Sequence, residues 1–210
     1  MANSAHDPLR LIDRALASEN EAWPRAEQAL LEANEDGVPL EAASSHPDPV
    51  GRQMAQAALV SDADTRGALD KATAYLDAAA ARFARTPAGT PPIHGIAANL
   101  SATFGPRLAS ALALRLVQQR EMPHWRVMST LAYLDRQRDP SVVPSLVRFA
   151  AQATVPVQQA SAVRVLSGFS GSAVAASVRA ERDRLAANGG SLPAPLAALS
   201  GGAGSSSSRA

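Results

Sequence analysis

Cysteine is absent from this 210-residue chain, so no disulfide and no thiolate metal site is open to it. Aromatic residues are scarce too: two Trp, two Tyr and four Phe make up 4% of the sequence. Such side chains supply much of the buried area of a thick globule, and their scarcity favours a shallow, two-layer arrangement. Lysine occurs once, at Lys71, against 19 arginines. With abundant alanine, that imbalance points to the codon usage of a GC-rich bacterial genome. No window approaches the roughly 18 uncharged apolar residues that a membrane-spanning helix needs, so no span is predicted. The opening Met1-Ala-Asn-Ser-Ala-His-Asp-Pro8 has no basic stretch followed by an apolar run. The expectation is therefore a cytoplasmic protein without a secretory signal.

What the chain does have is alanine, and charge sorted by position. Hydrophobic residues account for 46%, as a folded core requires, but much of that is Ala, which favours helix and lets helices approach closely while filling little volume. The net charge of +1 hides an asymmetry. Residues 1–70 hold 13 acidic and 5 basic side chains, a balance of −8; residues 71–210 hold 6 and 15, a balance of +9. Opposite charge at two ends steers partners or drives head-to-tail association, unless both ends are simply solvated helix surface.

Helix signals run along the whole sequence. Asp7–Pro8 opens a helix to about Ser18, with Leu9, Ile12 and Leu16 on one face. A second is predicted from Trp23–Pro24 to about Asn34, stopped by Gly37. Asp48–Pro49 opens a third to about Val60, with Val50, Met54 and Ala57–Ala58 as its buried stripe. A longer helix from Asp62 or Asp64 to about Arg85 carries Leu69, Leu76 and Phe83 seven apart; with Ala72 and Ala80 between them, that seam suits a bundle better than a coiled coil. Pro87-Ala-Gly-Thr-Pro-Pro92 then breaks the chain and divides an acidic N-terminal part, 1–86, from the C-terminal part.

Residues 93–188 read as one helix–turn–helix unit written three times, in helices near 93–104, 106–121, 124–138, 141–153, 157–169 and 171–188. Leu100, Leu131 and Leu166 anchor the first helix of each unit, spaced by 31 and 35 residues, and Leu100-Ser-Ala-Thr-Phe-Gly-Pro106 is echoed by Leu166-Ser-Gly-Phe-Ser-Gly171. A period of this size marks stacked repeats, because one helical pair cannot bury its apolar face alone. Pro106, Pro123, Pro140 and Pro156 stand at or near helix starts, where a missing N–H costs nothing, and Pro144 falls in a first turn. The short connections make successive helices antiparallel neighbours. From Gly189 to Ala210 the composition turns to Gly, Ser, Ala and Pro, which predicts a disordered tail. The fold expected is all-α: an antiparallel helical-hairpin α-solenoid of about ten helices.

Asp139-Pro-Ser-Val-Val-Pro-Ser-Leu146, followed by Gln158-Gln-Ala-Ser-Ala-Val-Arg-Val-Leu166, resembles a HEAT-like repeat of the short bacterial type. There an Asp-Pro opens one helix, and an Ala/Val-rich helix ending in Leu and a small residue forms the other. The resemblance is clearest over 124–188, fair over 93–121 and weak over 1–86. It implies a curved α-solenoid used for binding, with enzymes rare among its members.

Motifs for chemistry are few. The histidines at 6, 46, 94 and 124 have no partner at i+3 or i+4, so no metal site is expected, and His124 reads as a core or inter-helix residue beside Val127 and Leu131. Glu32-Ala-Asn-Glu-Asp36 lacks the spacing of a calcium loop and reads as a solvated helix end. The glycines at 189–190 and 201–204 lack the Lys-Ser/Thr of a phosphate loop, and no serine sits in a nucleophile context. No catalytic residue, metal or cofactor is therefore predicted. In helix 124–138, Val127, Met128, Leu131 and Leu134 take the buried face, which at about 100° per residue puts Arg126, Ser129, Tyr133 and Arg136 outside. In 157–169, Ser161 and Arg164 face away from Ala162, Val163 and Leu166. The two helices occupy equivalent places in the stack, so Arg126, Tyr133, Arg136 and Arg164 form a candidate partner-binding patch with Trp125 at its flank. Arginine forks suit carboxylate or phosphate, and Tyr adds contact area.

The function expected is non-catalytic: a protein-interaction scaffold that binds another protein, for instance through an acidic segment of that partner. The alternative is a nucleic-acid binder of the DNA-repair type, using the Arg-rich C-terminal two-thirds. Against it stand the acidic N-terminal third, the near absence of Lys and the few aromatics available to stack bases.

Overall fold

The structure, a computed structural model, describes residues 7–17, 45–59, 63–84, 92–118 and 121–201. Among them every regular element is helical and no strand occurs. In chain order the helices are α1 (Pro8–Ala17), α2 (Pro49–Leu59), α3 (Ala63–Ala84), α4 (Ile93–Phe104), α5 (Ala109–Gln118), α6 (His124–Gln137), α7 (Val143–Gln152), α8 (Pro156–Leu166), α9 (Gly171–Ala187) and α10 (Ala194–Gly201). The helix predicted near 24–34 and nearly all of the 87–92 linker lie outside the described residues.

Each Asp-Pro start works through the same local bond. The carboxylates of Asp7, Asp48 and Asp139 accept the backbone N–H two residues on, from Leu9 at 3.1 Å, Val50 at 2.8 Å and Ser141 at 2.9 Å. This satisfies an N–H that the helix itself leaves unpaired. Two of the predicted helices open more tightly than their sequence suggests, as 3-10 turns at Gly105–Leu108 and Pro140–Val142. Gly105 enters the first of these with φ 57°, a conformation open to glycine at little cost.

Packing follows alternate helices. α4 lies on α6 and α6 on α8; α5 lies on α7 and α7 on α9. The two rows meet through α5–α6 and α7–α8 contacts. One apolar cluster runs from Ala72 and Leu76 of α3 to Leu196 of α10, and includes all three repeat-anchoring leucines, Leu100, Leu131 and Leu166, each at most 1% exposed. Burial of such a side chain stabilises the fold by about 1.5–3 kcal/mol. α3 is seated across α4 and α6: Tyr75 accepts from Asn99 at 3.1 Å, Asp77 pairs with Arg126 at 3.0 Å, and Phe83 meets Trp125 with ring centroids 6.3 Å apart.

α1 and α2 bury Leu11, Ile12, Val50 and Met54 outside that cluster. They approach each other closely at Gly51, where a Cβ would collide with the His46 ring and with Ile12. Against the expectation of a tail disordered from Gly189, residues 194–201 form α10, whose Leu196 is fully buried and which packs on α7, α8 and α9. The composition of the tail is diluted by Gly and Ser, but Leu192, Leu196 and Leu199 supply enough apolar surface to hold this one short helix on the core.

Candidate functional site

The four residues chosen from helical periodicity do not share one outward face. Tyr133 is fully buried, and its hydroxyl donates to the Gly105 carbonyl at 2.5 Å, tying α6 to the turn that starts α5. Burial pushes its pKa up to about 12. Ser129 is also buried, with no hydrogen-bond partner among the described residues. The reason is topological: α6 has α4 on one side, α8 on the other and α5 across the layer, so Ser129 through Leu134 are all buried. A single-stripe projection assumes one burying neighbour. Arg126 is mostly covered and held by Asp77, while Arg136 and Arg164 are exposed, Arg164 standing 3.7 Å from Asp135. His124 sits at the start of α6, its Nδ1 facing the Gln158 amide of α8 at 3.1 Å, an inter-helix contact as its position implies.

A different place has the geometry of a site. Between α2 and α9, over the start of α7, lies a groove of about 660 Å³. One wall is Pro49, Arg52, Gln56 and Ala57 of α2; the other is Ala176, Ser177 and Ala180 of α9. Pro106, Arg107 and Ser110 close one end, and Asp139, Pro140, Ser141 and Pro144 form the floor. The prolines that fix helix starts thus bring three N-terminal ends, those of α2, of the 105–108 turn and of the 140–142 turn, to one cavity. Two of these ends are already capped by carboxylates, Asp48 at α2 and Asp139 at the 140–142 turn, so the positive charge of the lining comes from its arginines. Arg107 is exposed and has no ion-pair partner among the described residues. Arg52 stands opposite, its Nη1 donating to the His46 carbonyl at 2.6 Å and the Pro47 carbonyl at 3.0 Å. Among the described residues the lining holds one carboxylate, Asp139, which accepts the Ser141 N–H and offsets one of the two arginine charges.

Buried polar side chains, one of them the lining residue Gln53, hold the groove walls in place. Gln53 of α2 is 5% exposed and bridges two other helices. Its Oε1 accepts from the Ser145 N–H at 3.2 Å and Oγ at 2.7 Å, while its Nε2 donates to Ser110 Oγ at 3.1 Å. Arg148 of α7, 6% exposed, donates through Nη2 to both oxygens of Asp48, at 3.0 and 2.8 Å, and through Nε to Glu181 of α9 at 3.1 Å. Glu181, 3% exposed, also accepts from Arg184, and that bond holds the Arg184 guanidinium further into its charged form. Buried charges persist only when paired in this way. One guanidinium therefore ties the α2 wall and the α9 wall to the floor between them.

Sequence reasoning misses this network. The signal for it is Arg148 inside the apolar run Val143-Pro-Ser-Leu-Val-Arg-Phe-Ala-Ala151, and Gln53 inside the stripe Val50–Met54–Ala57. A charged or amide side chain on an apolar face needs a buried partner. What the groove offers chemically is shape, apolar Pro and Ala surface and two arginines; among the described residues its lining has no histidine and no carboxylate besides Asp139. Comparison with protein families, with curated proteins and with solved structures finds no match to this chain.

Proposed function

We propose that the chain is a HEAT-like α-solenoid that works as a non-catalytic interaction scaffold and holds an acidic segment of another protein in the groove between α2 and α9. The solenoid reading is supported by the packing of alternate helices into two rows, α4–α6–α8 and α5–α7–α9, which is how stacked hairpins bury one another. The partner reading is supported by one observation above the others. A preformed groove, with small residues along its α9 wall and fixed by buried polar bonds, is lined by Arg52 and Arg107 against one carboxylate, Asp139. The small α9 wall admits the backbone of a partner segment, and preorganised walls lower the cost of binding. The positive rim selects acidic sequences and speeds encounter.

The direct test is fluorescence anisotropy with labelled peptides of equal length and graded Asp/Glu content. Affinity rises with acidic content on this reading, and Arg107→Glu weakens the best peptide about tenfold or more, since like charges set face to face are penalised. Binding indifferent both to peptide charge and to Arg107 contradicts it. Duplex or single-stranded nucleic acid that binds with a steep, sequence-independent salt dependence would favour the nucleic-acid reading instead.

A further inference from the structure

We infer that the chain supplies an occupant for its own groove: the acidic stretch between residues 18 and 44 of a second copy. The inference rests on the proposed groove and names its partner. Between residues 18 and 44 seven side chains are acidic and one, Arg25, is basic, the densest block of one sign in the chain. It also carries the apolar residues Leu30, Leu31, Val38 and Leu40 among its acids. The groove has the complementary character, with Pro and Ala surface inside and Arg52 and Arg107 at the rim. Arg107 is the feature that asks for a partner, since it is exposed and unpaired among the described residues. The wider charge distribution points the same way, with −8 over residues 1–70 facing +9 over residues 71–210. Pairing of an acidic end with a basic groove is heterologous: each copy gives one surface and receives on another, so association proceeds head to tail. It is driven largely by charge and is screened by salt, whose Debye length falls from about 14 Å at 50 mM toward about 4 Å at 500 mM.

Sedimentation of the full chain tests this. At about 50 mM salt the weight-average mass rises with protein concentration, and at about 500 mM it returns to the monomer value. Arg107→Glu spoils the groove and leaves the acidic stretch; Glu32→Lys with Glu35→Lys does the reverse. Each variant alone stays monomeric, with its helical circular-dichroism signal unchanged. Mixed, they form a one-to-one dimer and nothing larger, because each retains one good surface and only one productive pairing remains. A wild-type chain that is monomeric at every concentration in low salt, or variants that fail to complement, overturns the inference. A labelled peptide of residues 19–41 separates this failure from that of the groove itself. If it binds the wild type and not Arg107→Glu while the chain stays monomeric, the second copy is the wrong occupant and the groove reading stands. If acidic peptides of any sequence fail to bind, the groove reading falls as well.

Discussion

Tyr133 and Ser129 lie one turn apart on α6, both fully buried, and they make opposite contributions. Tyr133 has a partner for its hydroxyl in the Gly105 carbonyl, whereas Ser129 has none among the described residues. Tyr133→Phe therefore leaves the partly buried Gly105 carbonyl without its donor and costs about 0.5–1.5 kcal/mol, read as a lower urea midpoint. Ser129→Ala removes an unpaired hydroxyl and is neutral or slightly stabilising in the same assay. The tyrosine also carries a pH signature. Its folded pKa of about 12 stands above the ordinary 10.0, so the stability it confers is complete below pH 10 and is lost as pH rises toward 12. In a spectrophotometric titration one of the two tyrosines, Tyr133, ionises only in that upper range or on unfolding. If both titrate together near pH 10 in the folded protein, the buried placement is wrong. These residues also mark where sequence reasoning stops. The leucines at 100, 131 and 166 are legible because a repeat must bury the same position each time, and all three are buried. Tyr133 is misplaced because a helical projection sees one face, and the number of neighbours around α6 is a property of the stack.

At the scale of elements, helix starts are the most legible feature, since Asp-Pro chemistry is complete within four residues and Asp7, Asp48 and Asp139 all cap as read. The contacts that place α2 and α9 are not, because Gln53 meets Ser145 across 92 positions and Asp48 meets Arg148 across 100. No local pattern contains such a pairing. Arg148→Ala strands Asp48 and leaves Glu181 with Arg184 alone, and it should cost about 3–5 kcal/mol in urea unfolding. The same variant loosens the groove walls, so acidic-peptide affinity falls although Arg148 itself touches no peptide. Loss of stability without loss of affinity would show that the walls are held by other contacts. α10 offers a second check on an element. Leu196→Ala removes a fully buried side chain and is expected to cost about 2–5 kcal/mol, seen as a lower thermal midpoint. A midpoint equal to wild type would mean that α10 does not rest on the core.

In the molecule as a whole, two rows of alternating helices meet a groove that α2 completes. α2 comes from the acidic N-terminal part, yet it walls a cavity whose floor and far side belong to residues 139–180. A binding face drawn on residues 93–188 alone misses that wall, which is why the outward arginines of α6 and α8 stand out as the stronger candidates in sequence. The measurement that decides between the two surfaces is an amide NMR titration of the uniformly labelled chain with an acidic peptide. The account predicts shifts concentrated at Gln53, Gln56, Arg107, Ser110, Ser141 and Ser177, with Arg136 and Arg164 unmoved. Shifts centred on Arg136 and Arg164, with the α2–α9 groove silent, would contradict it.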